Sequence, residues 1–357
     1  MLDQYGEPGG AQQCLLDLLP AIVDRRWEAT VAAPAGPLLE RASVAGAHVE
    51  AIRFGPFSSG RKGPVDWLRF AWQFPPLLRR IQRILDEREI DIVYVNGPRM
   101  VPVASYDREP RRAVFHCHSL FPDSTDLVGR RLRHMRATVI ANCRHVAAPL
   151  TPWVEDARMH TVHNGVADMA APRYPRQGPP RIGVIGRLSP EKGQSILLEA
   201  TRGLDSTLVI CGAPLFSYPA YERRLREAAR GRAVEFLPWS GDMRAVYASL
   251  DVVAVPSVGT EAATRVIPEV FSAGVPVVAF ATGGIPEIVE DEVTGLLAPE
   301  PTAVALANRL AEVEGVRDRL VANARRAYEE RFTLARWRKS IVGVLQSLEN
   351  PHVLRRR

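Results

Sequence analysis

Lysine is nearly missing from this sequence. Three of its 46 basic residues are lysines: Lys62, Lys192 and Lys339. Such an arginine bias reflects coding composition and by itself carries no function. Cysteine is scarce as well. Cys14, Cys117, Cys143 and Cys211 are isolated, with no CxxC and no Cys/His metal spacing. Cys14 and Cys211 sit in apolar segments, so reduced core thiols are expected; a disulfide pair or a reactive thiol is the alternative. No apolar run reaches the roughly 18–20 residues that a transmembrane helix needs. The opening residues Met1 to Tyr5 have neither a basic n-region nor an apolar h-region, so no secretion signal is expected. No G-x-G-x-x-G follows a strand pattern and no G-x-x-x-x-G-K-[ST] occurs. Hydride transfer and Walker-type hydrolysis therefore have weak support.

What is present suffices for a sizeable core. The chain has 357 residues, 46% hydrophobic and 24% charged, which suits two globular domains. Net charge is 46 − 40 = +6. The excess is concentrated at Arg108, Arg111, Arg112, Arg130, Arg131, Arg133 and Arg136, faced only by Glu109, Asp123 and Asp126. That pattern suits an anionic partner or a membrane surface, and falls short of a nucleic-acid stripe.

Short β-branched runs alternate with amphipathic helical stretches. Strands are expected at 29–33, 91–95, 113–117, 138–142 and 159–162, then at 181–185, 206–211, 233–237, 251–255 and 276–280. Helical patterns lie at 11–25, 67–87, 192–202, 219–230, 316–331 and 334–349. Near-continuously apolar strands alternating with helices imply parallel sheets covered on both faces. Segment 167–180 holds four prolines and little to bury, so it reads as a linker. The expected domains are 1–166 and 181–333, with a helix in 334–357 that could cross back to the first. Only about six residues precede the loop Glu7-Pro8-Gly9-Gly10, so the first strand is expected to be shortened or missing; a naturally short strand is the alternative. Ligands of doubly wound sheets bind outside the carboxyl ends of strands. Two such sheets across a cleft would place a reaction between domains.

Four constellations carry chemistry. In 251–279 a strand ends in a loop, a short helix follows and a new strand begins. Glu261 lies in the loop and Glu269 in the first turns of the helix. Pro268 is tolerable only near a helix start, and the N–H groups around Arg265, Val266 and Ile267 would be unpaired and open to an anion. The two carboxylates can accept hydrogen bonds from sugar or ribose hydroxyls, or simply cap the helix and pair with arginines. In 183–193 a strand runs into Gly186 and Arg187, and Lys192 opens the next helix. Two cations at a strand's carboxyl end suit a diphosphate; a solvated turn paired with Glu191 is the plainer reading. Gly9 and Gly10 precede the first helix, where glycines let backbone approach phosphate or sugar and take positive φ; a simple tight turn fits too. In Phe115-His116-Cys117-His118-Ser119, alternation puts both histidines on one face. No further ligands suggest zinc. One histidine is expected to be a core residue, and His118, nearer the strand's carboxyl end, is the better cleft candidate. His163-Asn164-Gly165-Val166 closes the first domain with a turn.

Together these segments resemble the family-four retaining glycosyltransferases of the GT-B fold, over nearly the whole chain. The resemblance rests on Gly9-Gly10, His118, His163 to Val166, Gly186-Arg187 with Lys192, the stretch Asp242 to Ser257, the Glu-x7-Glu pair Glu261/Glu269, and Gly283-Gly284-Ile285-Pro286-Glu287. Each is modest; their order and spacing are specific. The resemblance implies an α/β GT-B fold, two doubly wound Rossmann-like domains facing each other across a cleft. It implies transfer from a nucleotide diphosphate sugar with retention, without a metal or cofactor. Arg187 and Lys192 would bind the diphosphate and stabilise the leaving group. Glu269 would hold the ribose, Glu261 would face the donor sugar near its reacting centre, and His118 would contact that sugar. Gly9, Gly10, Gly186, Thr264, Arg265 and Val266 complete the implied donor site. Retention in this family is ascribed to same-face attack guided by the leaving phosphate, so no protein nucleophile is assigned. One departure stands out. The family has an aromatic and a glycine after the first glutamate, and this chain has Ala262, Ala263 and Thr264.

UDP is the expected nucleotide by family habit, with GDP next. The acceptor, whether small molecule, glycan or lipid-linked, is not legible. A non-catalytic nucleotide-sugar binder or partner subunit is the alternative from a different class, motivated by residues 262–264 and the short start. Another GT-B activity, an epimerase or a phosphorylase, is a further alternative, and no obvious cofactor-binding lysine pocket supports the phosphorylase. The stretch 57–81, with Arg61, Lys62, Trp67, Phe70, Trp72 and Phe74, and the cluster Arg130 to Arg136 could touch an anionic membrane; solvated arginines over a buried aromatic face are the plainer reading. The expected location is cytoplasmic, with the inner membrane face as an option. No nucleic-acid partner is expected.

Overall fold

The computed structural model describes residues 1–7, 9–55, 63–107, 109, 111–172, 177–214, 219–239, 241–259 and 261–349. Arg61, Lys62 and Arg108 of the basic stretches, and the C-terminal residues 350–357, lie outside them. Chain contacts divide the protein into two units, Met1–His163 with the segment from Ala335, and Asn164–Leu334.

The first unit carries strands β1 (Thr30–Ala33), β2 (His48–Ala51), β3 (Ile92–Val95), β4 (Arg112–Cys117), β5 (Thr138–Ala141) and β6 (Met159–Thr161). Its helices are α1 (Gly10–Val23), α2 (Pro37–Val44), α3 (Pro64–Glu87), α4 (Val101–Ala104), α5 (Thr125–Met135) and α6 (Arg144–Ala147). β1 pairs with β2, and β3 to β6 pair in sequence order, all parallel. Central strands such as β3 and β4 are buried almost throughout, as a sheet with both faces covered requires. Helix α1 buries Leu15, Leu18, Leu19 and Ile22, the i, i+3, i+4, i+7 stripe of a core-facing helix.

Met1 to Asp3 act as the first strand in miniature. Leu2 N donates to Tyr94 O at 2.7 Å, and Asn96 N to Leu2 O at 2.8 Å. On the other side Asp3 N donates to Ala32 O at 3.0 Å, and Ala32 N to Met1 O at 2.9 Å. Three residues thereby join β1–β2 and β3–β6 into one parallel sheet.

The second unit carries β7 (Arg181–Ile185), β8 (Thr207–Cys211), β9 (Val234–Leu237), β10 (Val252–Val255), β11 (Val277–Phe280) and β12 (Leu296–Ala298). Its helices are α7 (Gln194–Ala200), α8 (Pro219–Ala228), α9 (Met243–Ala248), α10 (Val266–Ala273) and α11 (Ala303–Ala327). The parallel sheet has the order β12-β11-β10-β7-β8-β9. Strand succession runs outward in both directions from the β7/β10 pair. That pair is the topological switch point, where connections depart to opposite faces and leave a crevice at the carboxyl ends. The core beneath it includes Ile182, Val184, Leu208, Ile210, Ala254 and Phe280.

Several boundaries differ from expectation. The units divide at His163/Asn164, ahead of the expected linker. Val166 N donates to Phe332 O at 2.9 Å, and Leu334 N to Val166 O at 3.0 Å. Asp168 accepts from Arg325 at 2.9 and 2.8 Å, and Met169 N donates to Ser272 Oγ at 3.0 Å. The start of segment 167–180 is thus fastened to the second unit. Helix α12 (Leu334–Glu349) counts with the first unit from Ala335: Arg338 Nε donates to Asp17 O at 2.5 Å. The four cysteines are buried thiols without a disulfide, and burial pushes Cys117 up to about 12.

Candidate functional site

In the second unit the expected residues gather on the two loops that leave the switch-point strands. After β7, Gly186 takes φ +144° and Gly193 takes φ +68°. A Cβ at Gly193 would lie 1.9 Å from Pro256 O, so only glycine lets the β7 and β10 loops touch. Between the two glycines, Pro190–Lys192 forms one 3-10 turn. Lys192 therefore ends that turn, and α7 opens at Gln194 rather than at Lys192. Val258 N donates to Glu191 O at 2.9 Å and ties the loops together.

Side chains then cross between them. Lys192 Nζ donates to Glu261 Oε2 at 2.6 Å. Arg187 Nη2 is paired with Glu191. Glu269, in the first turn of α10, accepts from the Tyr247 hydroxyl at 2.6 Å on Oε2; Arg265 Nε lies 3.8 Å from its Oε1. Tyr247 is buried, and burial first, then Glu269, holds its phenol well above its ordinary value. Three cations are thus each set beside a carboxylate, on the loops after β7 and β10 and at the start of α10. A ligand that brought two negative charges would find the cations already oriented.

The loop 261–264 is pinned by its backbone. Gly284 N donates to Glu261 O at 3.0 Å, Asn164 Nδ2 donates to Ala263 O at 2.8 Å, and Arg265 Nη1 donates to Gly165 O at 3.4 Å. Ala262 and Ala263 are buried, so small side chains suit this position. Of the N–H groups expected to be unpaired at Arg265, Val266 and Ile267, that of Val266 has a partner: it donates to Thr264 Oγ1 at 3.4 Å. The threonine hydroxyl can compete locally for the helix N-terminal donor.

In the first unit, Gly9 and His118 belong to one hydrogen-bonded network, and Gly10 follows Gly9 in the chain. Gly9 is the N-cap of α1 with φ −111°, and Gly10 is the first helical residue. Neither has positive φ, so the expected left-handed turn is absent. What favours glycine at position 9 is proximity: a Cβ would come within 2.9 Å of Gln12 Oε1, which accepts from Gly9 N at 3.1 Å. Gln12 Nε2 donates to Asp3 Oδ1 and Oδ2 at 2.9 and 3.0 Å. Asn96 Nδ2 donates to Asp3 Oδ2 at 2.6 Å, and Asn96 Oδ1 lies 2.8 Å from His118 Nε2. Asp3 is fully buried. Burial pushes its carboxyl up to about 6 against the opposing pull of its hydrogen bonds, led by Asn96.

His116 is the core histidine of the pair. Its Nδ1 lies 2.5 Å from the Tyr94 hydroxyl. Burial, and then His118, hold it well below its ordinary value and so neutral. Its ring lies 3.9 Å from that of His118 and 6.4 Å from that of Trp337. Sequence reasoning missed Asp3, Gln12, Asn96, Tyr247 and Asn164. The first three come from distant segments and form no local motif. Tyr247 lies within Asp242 to Ser257, and Asn164 within the His163 to Val166 turn, segments whose sequence singles out neither residue.

The aromatic stretch is split. Phe70 and Phe74 pack inward in a chain with Phe54 and Tyr106, at centroid distances of 5.6 to 6.0 Å. Val65, Trp67, Leu68 and Trp72 are exposed, Trp72 at 80%. On α5, Arg130 and Arg133 lie over the Trp153 ring and Arg131 over Tyr106. No helix among the described residues is long and apolar enough to cross a membrane.

Known proteins give this arrangement a context. Residues 179–314 match the family described as Glycosyl transferases group 1, and residues 8–168 match Glycosyltransferase Family 4. A putative colanic acid biosynthesis glycosyltransferase of Salmonella typhimurium is 31% identical over 180 residues, 46% of this chain and 44% of that protein. The chain thus spans less than half the length of the first curated relatives it matches. Phosphatidyl-myo-inositol mannosyltransferase of Mycobacterium leprae is 27% identical over 344 residues, 89% of this chain and 88% of that one. Among solved structures, Anabaena HepE in complex with UDP-glucose is 25% identical, with a TM-score of 0.82 over 97% of this chain and 98% of that one.

Proposed function

The chain belongs to glycosyltransferase family 4, with an α/β GT-B fold of two Rossmann-like domains, and from that premise we propose that it transfers a hexose from a nucleotide diphosphate sugar with retention. The observation that carries this reading is the placement of Arg187 and Lys192, with their acid partners, on the loops of the β7/β10 switch point. UDP is the proposed nucleotide, with GDP second, because HepE, similar over nearly its whole length, was solved with UDP and with UDP-glucose.

The roles follow from the chemistry of each group. Cleavage of the sugar–phosphate bond leaves negative charge on the diphosphate. Arg187 and Lys192 are preoriented cations that stabilise it. Glu261 holds Lys192 in place and faces the donor sugar. Glu269, fixed by Tyr247, accepts from the ribose hydroxyls. Gly186 and the backbone of Thr264, Arg265 and Val266 border the donor, and Gly9, Gly10 and His118 supply the contacts of the first unit. The acceptor oxygen attacks the anomeric carbon from the face the phosphate leaves, and its proton passes to the departing phosphate oxygen. No protein nucleophile and no metal enters this scheme.

A contact with an anionic membrane surface is part of the reading. Val65, Leu68 and Trp72 recur at i, i+3 and i+7 on the exposed side of α3, with exposed Arg79 and Arg83 on the same side. Apolar and tryptophan side chains beside arginines suit the headgroup region of a bilayer. Vesicle flotation tests it: Trp72→Asp with Leu68→Asp should abolish binding to phosphatidylglycerol vesicles. Absence of wild-type binding at low salt removes the membrane contact.

Incubation with a panel of nucleotide sugars tests the transferase reading. One donor should release its nucleoside diphosphate, and Lys192→Ala should not release it. Binding of a donor without any release would favour a nucleotide-sugar-binding role, which the alanines at 262 and 263 also suit.

A further inference from the structure

We propose that Asp3 is a positioning residue: its buried carboxylate fixes Asn96 and Gln12, and through them the ring of His118 and the backbone of Gly9 at the start of α1. The inference rests on the transferase reading for what His118 and Gly9 meet, and it adds three residues to which that reading gives no role.

The argument is one of donors and acceptors. Oδ1 of Asp3 accepts from Tyr5 N at 2.9 Å and Gln12 Nε2 at 2.9 Å. Oδ2 accepts from Asn96 Nδ2 at 2.6 Å and Gln12 Nε2 at 3.0 Å. All of these partners are donors, which is the arrangement an ionised carboxylate requires. Both carboxamides must therefore turn their NH2 groups toward Asp3. Asn96 Nδ2 is held the same way by Ala11 O at 3.1 Å.

With the amides so oriented, their oxygens point at the site. Gln12 Oε1 receives Gly9 N at 3.1 Å. Asn96 Oδ1 faces His118 Nε2 at 2.8 Å. An amide oxygen only accepts, so His118 Nε2 carries a proton. Neutral His116 supports the ring from its face. One carboxylate thus sets the tautomer of the histidine and the position of the N-cap amide of α1, although the two belong to different loops.

The test compares wild type, Asp3→Asn, and the exchange Asp3→Asn with Asn96→Asp, each as the full chain with 15N-labelled histidine. The readouts are the imidazole nitrogen shifts of His118, hydrogen exchange at the Gly9 amide, and kcat and KM for nucleotide release. Wild type should carry the His118 proton on Nε2. In Asp3→Asn a donor meets a donor, so Asn96 turns its NH2 toward His118 and the ring proton moves to Nδ1. Gly9 exchange should quicken, and kcat should fall about 10–100-fold, the factor of one charged hydrogen bond, with KM for the donor changed less. The exchange restores complementarity between positions 3 and 96, since the new amide at position 3 donates to the new carboxylate at position 96; it gives up the bond to Ala11 O and should return the proton to Nε2.

A folded Asp3→Asn protein with the Nε2 proton and Gly9 exchange of wild type overturns the proposal. If Asp3→Asn does not fold, the exchange variant decides: an Nε2 proton supports the proposal and an Nδ1 proton overturns it. Failure of the wild type to turn over any nucleotide sugar would sink the transferase reading alone, because tautomer and exchange still decide the role of Asp3.

Discussion

Asp3 makes stability respond to pH in a calculable way. Burial raises its carboxyl from 3.8 to about 6, and its partners Tyr5 N, Gln12 and Asn96 are uncharged donors. The folded state therefore binds this proton more tightly than the unfolded chain does. Stability from this group is least above pH 6 and grows as pH falls through 6 toward 4. Between pH 7.5 and pH 5 the gain is about 1.4 kcal/mol, from the two pKa values and RT. For a unit of this size, that is about 3–6 °C in melting temperature. Other carboxylates titrate in the opposite sense; Asp168, held below its ordinary value by hydrogen bonds from Arg325, loses its contribution as pH falls. The informative quantity is therefore a difference. Melting curves at pH 7.5 and pH 5 should show wild type gaining about 3–6 °C relative to Asp3→Asn. Equal pH responses of the two proteins would refute the raised carboxyl and with it the electrostatic description of this network.

Further outcomes follow from the second unit. Lys192→Ala and Glu269→Ala should each lower kcat/KM by about 100-fold or more, as loss of a preorganised transition-state contact does, while circular dichroism stays that of wild type. Tyr247→Phe removes the 2.6 Å hydrogen bond to Glu269 and should weaken nucleotide binding by about 10-fold in titration calorimetry. Glu191→Gln frees Arg187 from its acid partner and should tighten nucleoside diphosphate binding, an effect that added salt diminishes. Gly193→Ala places a Cβ against Pro256 O at φ +68° and should lower the melting temperature by about 5 °C or more.

The sequence made the sheets legible because buried parallel strands are short continuous apolar runs. Arg181–Ile185 and Val252–Val255 are of this kind. β2 was not foreseen, since His48–Ala51 is an exposed edge with no apolar run, and β12 is three residues long. Helix α11 begins at Ala303, well before the expected 316, because alanine-rich turns carry little amphipathic signal. The candidate residues of the second unit were legible where they lie on one or two loops. Their exact partners were not: nothing in Glu191 or Glu261 alone tells which cation it meets. The network of Asp3, Gln12 and Asn96 was invisible for a physical reason. It is made by three segments that only the sheet brings together, with Asn96 following β3 and Asp3 inserted between β1 and β3.

The central claim is that the switch-point cations bind the diphosphate of a nucleotide sugar. The direct measurement is a thermal-shift titration with UDP, GDP, ADP and dTDP on wild type, Lys192→Ala and Glu269→Ala. At about 100 times its dissociation constant, a ligand adds about 2.7 kcal/mol, or about 5–11 °C for a unit of this size. The account predicts such a shift with one nucleotide, UDP first, in wild type and its loss in both variants. No shift with any of the four, or an equal shift in wild type and Lys192→Ala, would contradict it.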